Sequence, residues 1–411
     1  MILIYAFWTF FTLLMGIFYS TWITALGHIG LPLGDATLSY AYFILGQVLL
    51  ELPTGYLADR WGRKRTTITG VVLYGFAFAG IFFDYSSTLV YAFLVLAGFG
   101  HTMISGAHQA WVIDIAERKA KITGGDGNNR RLFLSLDLVR RVNLALGAAV
   151  GAYFLGHYPR LLWAVLATLS AVAAVVAAFA PADDVQASLG KVRIELGRVW
   201  ANLKDPQLLG VLAMGLFYGI ETGNRDTIMQ PYVVNFLGHG NPYGMVVIQG
   251  GVGVIGIVGN RLAAAWRRKH QNGIGRGDIA LLTLPLVIMG VAQTLAPGAS
   301  TLLQFALLYF TGMICIGWFY PTQTFFLTTL IKKEHRAFLL SGASMVECLM
   351  QAATCIFVSR RINEVPLNEF WRIGGGACFV AAVAVVIGLV LPRLGGRQAS
   401  EQGGMTQLTE G

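Results

Sequence analysis

This sequence predicts an all-α integral membrane protein with twelve transmembrane helices in two pseudo-symmetric six-helix bundles, and three observations predict it. The first is composition: 55% of the 411 residues are hydrophobic, only 12% are charged and 50 are glycine, with a mean hydropathy of +0.61. That balance belongs to a chain whose solvent is lipid. The second is a succession of apolar stretches, each long enough to cross a bilayer at about 20 residues per span. The third is the placement of the basic residues between them.

Spans are predicted near 2–26, 35–58, 66–84, 87–116, 132–157, 160–182, 207–237, 243–266, 278–296, 299–331, 335–359 and 369–393. The first starts at Met1-Ile2-Leu3-Ile4 with no basic n-region and is too long for a signal-peptide core, so it is expected to be retained as a membrane helix. Connections after the second, fourth, sixth, eighth and tenth spans carry the clusters Arg60/Arg63/Lys64/Arg65, Arg118/Lys119/Lys121/Arg130/Arg131, Lys191/Arg193/Arg198/Lys204, Arg267/Arg268/Lys269/Arg276 and Lys332/Lys333/Arg336. With Arg393 and Arg397 these make 22 basic residues on one side, against Arg160, Arg360, Arg361 and Arg372 on the other. The bias predicts a multi-pass protein with both termini in the cytoplasm.

Residues 1–182 form the first predicted bundle, 183–206 a cytoplasmic linker, 207–393 the second bundle and 394–411 a disordered cytoplasmic tail rich in Gly, Gln and Thr. Within the linker, Val192, Leu196, Val199 and Leu203 recur at helical spacing among charges, the pattern of an amphipathic interfacial helix. A faint repeat relates the halves: Gly259, Arg267 and Arg268 stand at the same offsets as Gly55, Arg63 and Lys64, with Ala263 and Ala264 where the first copy has Asp59 and Arg60.

Several function classes are excluded by the same residues. The net charge of +9 is dispersed in short clusters between apolar spans, so it marks topology rather than nucleic-acid binding. Cys315, Cys348, Cys355 and Cys378 all lie in apolar stretches without metal-ligand spacing, which argues against a zinc site or a disulfide framework. Gly374-Gly375-Gly376 has no following lysine and no preceding strand, so it is no phosphate loop. With no metal cluster and no nucleophile–base pair, the chain is not read as an enzyme, and no cofactor is expected.

The run from Gly55 to Lys64, Gly-Tyr-Leu-Ala-Asp-Arg-Trp-Gly-Arg-Lys, follows directly on the second span. It resembles the signature loop of major facilitator superfamily transporters, in which Gly55, Asp59, Arg60, Gly62, Arg63 and Lys64 would form a gating turn. Glycines there allow close approach of two helices, and the charges suit headgroups and helix ends. Glu51-Leu52-Pro53-Thr54-Gly55 is similar to a bacterial drug-efflux-like subgroup of that family. So are Ser105-Gly106-Ala107-His108-Gln109-Ala110-Trp111 with Asp114, Gln230-Pro231-Tyr232, and His335-Arg336-Ala337 with Ser341. The membrane-embedded arginine of the subgroup's fourth helix is absent between Tyr91 and Trp111, where His101 and His108 are the basic candidates, and Gly147, Gly151 and Gly156 lack the fifth helix's proline.

The resemblance implies a monomeric secondary transporter of the inner membrane that moves a small amphipathic molecule by alternating access, through proton-coupled export. Its partners would be a small-molecule substrate, protons and the lipid bilayer, with no nucleic acid. Proton-coupled uptake of a metabolite or metal chelate is the alternative within transport, and a non-transporting membrane sensor the alternative from another class.

An ionisable side chain in hydrocarbon costs about 2.5–3.5 kcal/mol even on insertion scales, so each is expected to face the bundle interior with a partner. In the first half, Glu51, Asp114, Asp137, Arg140 and Arg141 are expected to form an ion-pair network, with Asp137 and Arg141 paired at i,i+4 and Glu51 meeting Arg140. In the second, Glu221, Arg225, Asp226 and Glu347 are candidates for proton coupling or substrate contact. Glu221 is either a fixed partner of Arg225 or a participant in transport. Glu347 has no basic residue within reach on its own helix, and is either a coupling acid or a neutral one held in a helix contact. Cavity-lining candidates at midplane depth are Tyr19, Trp22, Gln47, His101, Ser105, Gln249, Trp318, Tyr320 and Gln323.

Overall fold

A computed structural model of the protein describes residues 1–123, 129–182, 206–237, 243–269, 276–330 and 336–407. Among them are twelve α-helices and no strand: α1 Ile2–His28, α2 Leu33–Trp61, α3 Arg63–Phe83, α4 Ser87–Thr123, α5 Asn129–His157, α6 Leu161–Phe179, α7 Pro206–Leu237, α8 Tyr243–Lys269, α9 Arg276–Leu295, α10 Leu302–Leu330, α11 Arg336–Arg361 and α12 Leu367–Gln407. In lipid every backbone polar group must be satisfied within the segment, and helices do this without edges. The fold is all-α, as the composition predicts.

Element boundaries depart from expectation where local chemistry intervenes. The tenth helix starts at Leu302 rather than 299, because Ala296–Gly298 closes as a 3-10 turn around Pro297. The last helix continues to Gln407, past the expected end at 393. The predicted linker falls on residues 183–205, which lie outside the described residues.

The packing carries the pseudo-symmetry. In the first half α1 packs on α5 and α6, α2 on α4, and α3 on α4 and α6. Adding six to each number gives the packing of the second half: α7 on α11 and α12, α8 on α10, and α9 on α10 and α12. The halves meet through α2 against α11 and α5 against α8, which the same operation exchanges.

Where helices approach most closely, side chains are missing. A Cβ on Gly98 of α4 would lie 2.1 Å from the Phe43 carbonyl of α2, and one on Gly46 of α2 would lie 2.3 Å from the Val95 carbonyl of α4. Small residues of this kind replace the hydrophobic effect as the basis of helix contact in a membrane. Large apolar side chains such as Leu49, Phe76, Phe179, Leu303 and Phe357 remain exposed on the outside, where lipid would cover them.

Gly98→Val is expected to lower stability by about 1–3 kcal/mol through overpacking. Gly376→Ala, where an added methyl meets nothing within 4 Å, is expected to be neutral or stabilising by about 0.4–1 kcal/mol. Thermal unfolding of the purified protein in detergent would separate the two; equal effects would show that the α2–α4 contact is not tight.

Candidate functional site

Eleven of the helices contain a described stretch apolar enough to cross a bilayer, and α7 is the one that does not. Its middle carries Glu221, Asn224, Arg225 and Asp226, and the structure uses these charges against one another. Nη1 of Arg225 donates to both carboxylate oxygens of Glu221, at 3.0 and 3.2 Å, while its Nε and Nη2 each lie 3.0 Å from Oδ1 of Asp226. Glu221 is fully buried and Arg225 is 7% exposed. Two acids share one arginine here, and each also takes hydrogen bonds from neighbouring helices.

Those bonds come from two directions. Gln293 of α9 donates to Oε1 of Glu221 at 2.5 Å, and the Thr222 hydroxyl reaches Oε2 at 3.4 Å. Gly374 of α12 makes room for this arrangement, since a Cβ there would lie 2.5 Å from the Gln293 side-chain oxygen. Asp226, by contrast, accepts from the Tyr40 hydroxyl of α2 at 3.1 Å and from Gln351 of α11 at 3.4 Å. Arg225 therefore bridges a carboxylate tied inside the second half and one tied to the first half.

Glu347 of α11 accepts from the Tyr320 hydroxyl of α10 at 3.0 Å, and Tyr320 stands edge-on to Tyr218 of α7 with ring centroids 5.7 Å apart. Tyr320 keeps 46% of its surface open, and Glu347 is part-exposed although protein surrounds both. Neither side chain is packed into a core. Among the described residues no basic side chain pairs with Glu347.

The remaining lining candidates divide. Tyr19 is half-buried against Phe18 and Phe43, and Trp22 is buried against Tyr40 with centroids 4.7 Å apart. His101 bonds Tyr74 at 2.9 Å, Ser105 is exposed and bonds the Thr102 carbonyl, and the Gln47 carbonyl accepts from Thr102. Gln249 is half-buried on α8, Gln323 is buried beside Gly215, and Trp318 is buried with Ala263 and Leu281.

At the turn between α2 and α3, Gly62 adopts φ +96°, a conformation that L side chains rarely adopt. Arg63 donates to Asp114 at 2.5 Å and to the Ala110 carbonyl at 3.2 Å. Lys64 donates to the carbonyls of Ala178 and Ala180 at the end of α6, at 2.8 and 2.5 Å, and Trp111 donates to the Pro181 carbonyl. A cation at a helix C-terminus complements the dipole there. Arg60 is exposed, and the surroundings of Gly55 and of the Asp59 side chain lie outside what the structure describes.

Among the described residues the first-half acids pair in two places, Asp114 with Arg63 and Asp137 with two arginines of α5. Asp137 accepts from Arg140 at 2.8 Å and from Arg141 at 2.7 Å on its own helix. Among the described ion pairs Arg140 meets Asp137, and α2, which carries Glu51, packs chiefly against α4 and α11 while α5 packs against α1 and α8. Arg141 instead crosses to the second half. With its amide oriented to satisfy both sides, Asn260 of α8 accepts from Arg141 at 3.1 Å and donates to the Gly317 carbonyl at 2.8 Å. Gly256 leaves room for the guanidinium, which a Cβ would approach to 2.6 Å.

Residues 2–355 match the family model described as Major Facilitator Superfamily. The chain belongs to the major facilitator superfamily. Solved structures similar to this superfamily member include the nucleoside transporter NupG, with a TM-score of 0.76 at 12% identity over 95% of this chain and 98% of that one. A D-xylose-proton symporter gives 0.70 at 15% identity over 93% and 97%, and a POT family peptide transporter 0.71 at 13% over 94% and 96%. At such identities the likeness is one of fold. No curated protein sequence matches the chain.

Within this superfamily member, sequence reading missed Tyr40, Asn260 and Gln293, took Gln230 only as part of a family motif and gave Gln351 no contact of its own. The signal was present: each is a side chain with a polar group inside an apolar span, where the cost that singles out charges also applies to amides and hydroxyls at smaller size.

Arg225→Leu is expected to destabilise the protein by about 3–5 kcal/mol, because it leaves Glu221 buried without a counter-charge. Combining it with Glu221→Gln should recover part of that loss. Thermal unfolding of the three variants checks this, and a double variant no more stable than Arg225→Leu alone would contradict it.

Proposed function

We propose that this transporter works by alternating access between its two halves and exports a small amphipathic organic molecule across the inner membrane in exchange for protons, with both termini in the cytoplasm. The observation that carries the reading is Glu347: a part-exposed carboxyl midway along a membrane span, held by Tyr320, with no basic partner among the described residues. A carboxylate so placed gains from binding either a proton or a cationic group, and the two compete for one site. Arg225 is held by two carboxylates at once, which suits it to a lasting structural role and leaves Glu347 the exchangeable one.

The turn around Arg63, Lys64 and Asp114 ties α3 to α4 and α6, so it moves with the first half as a unit. The Arg141–Asn260 contact spans the halves near the level of that turn. In this reading it is a latch that opens as the halves rock. Aromatic surfaces at Tyr19 and Tyr320 give an amphipathic solute somewhere to stack.

Reconstituted in proteoliposomes with an imposed pH gradient, the protein should accumulate its solute against a gradient. Glu347→Gln should abolish that uphill movement while leaving solute-for-solute exchange largely intact. Proton-driven accumulation unaffected by Glu347→Gln would remove the residue from the coupling. Solute and protons moving in the same direction would replace export with uptake.

A further inference from the structure

Gln230 lies one turn of α7 beyond Asp226 and is 1% exposed. Its side-chain oxygen accepts from the backbone N–H of Ile23 at 3.1 Å, from that of Thr24 at 3.2 Å and from the Thr24 hydroxyl at 3.4 Å. Its side-chain nitrogen donates to the Tyr19 carbonyl at 3.0 Å. In an α-helix the carbonyl of Tyr19 and the N–H of Ile23 are the two ends of one i→i−4 bond. A carboxamide from the second half thus engages both ends of a single rung of α1.

Its place in the bundle gives this contact a purpose. A cavity of about 660 Å³ lies between the halves on the face opposite the α2–α3 turn, lined by Ile23, Thr24, Pro231 and Val234 with His28 and Asn363 among its polar groups. Along α7 Gln230 stands between Asp226 and Val234, and so between the Asp226–Tyr40 contact and this cavity. The residue that follows it, Pro231, has no N–H to offer the α7 ladder, so the helix is already interrupted there.

We propose that Gln230 is the positioning residue that seals this face of the transporter, by splicing α7 into the hydrogen-bond ladder of α1 and thereby fixing Tyr19 in the central cleft. The inference rests on the alternating-access reading above. Opening the face requires Gln230 to let go, and the Tyr19 carbonyl and the Ile23 N–H remain each other's natural partners within α1, which runs unbroken from Ile2 to His28. No backbone group is left unsatisfied in the membrane. Release gives up the hydrogen bonds of the carboxamide to α1, each of modest net strength, so both states lie within reach of a ligand or proton signal.

Two substitutions distinguish the splice from ordinary packing. Gln230→Leu keeps bulk and removes every bond. Gln230→Glu mimics the carboxamide only when neutral, since a protonated carboxyl has an O–H for the Tyr19 carbonyl and an acceptor for the two N–H groups, whereas the carboxylate has lost its donor. Spin labels at Gly27→Cys and Asn363→Cys, both exposed positions across the cavity, would be placed in a chain whose four native cysteines are replaced, and their separation read by pulsed electron paramagnetic resonance. Gln230→Leu should raise the ratio of long to short distances roughly tenfold. Gln230→Glu should stay closed at acidic pH and open as pH rises through the titration of the introduced carboxyl. An unchanged distribution in both variants, or a Gln230→Glu distribution indifferent to pH, overturns the proposal. The distances report the splice whether or not any solute moves, so a protein that shows the pH switch but transports nothing in liposomes would keep the splice and lose the transport reading.

Discussion

Arg225 is buried in the middle of a helix bundle whose surroundings are hydrocarbon, and much of the second half is arranged around that fact. A guanidinium has five N–H groups in a fixed fork and cannot shed its charge. The structure meets it with Glu221 one turn earlier and Asp226 next in sequence, so both partners come from α7 itself. A pair that needs no second helix can form as α7 folds. The two acids share that one arginine, and their remaining acceptor positions take the hydrogen bonds that connect α7 to α9, α11 and α2.

The two carboxylates are held differently, and the difference separates structure from motion. Glu221 is fixed inside its own half by Gln293, with Gly374 leaving the space. Asp226 faces the first half and is held by Tyr40. One turn further along, Gln230 joins α1, and nearer the α2–α3 turn Arg141 meets Asn260. These contacts between halves are hydrogen bonds rather than interlocked side chains, and polar bonds can be exchanged without rebuilding a packed core.

Twelve helices and their order were legible in the sequence because the bilayer imposes a length and an apolarity on every span, and α7 could still be read as a span from its flanks despite its charges. The Glu221–Arg225 and Asp137–Arg141 pairs were legible because i,i+4 spacing fixes neighbours within one helix. Contacts between helices were not. Spacing along α2 and α5 says nothing about whether they touch, so Glu51 and Arg140 were matched by charge alone, whereas the described partner of Arg140 is Asp137 on its own helix. Tyr320 was read as a lining residue without its bond to Glu347, and Gln293 was not read at all. Amides and phenols inside apolar spans are weaker signals than charges, and their partners are set by tertiary packing.

The central claim is that Asp226 joins the charged centre of the second half to the first half through Tyr40. A double-mutant cycle of Tyr40→Phe and Asp226→Asn, read by unfolding free energy of the purified protein, tests it most directly. The account predicts a coupling of about 1 kcal/mol between the two positions. Strict additivity of the two substitutions would contradict it.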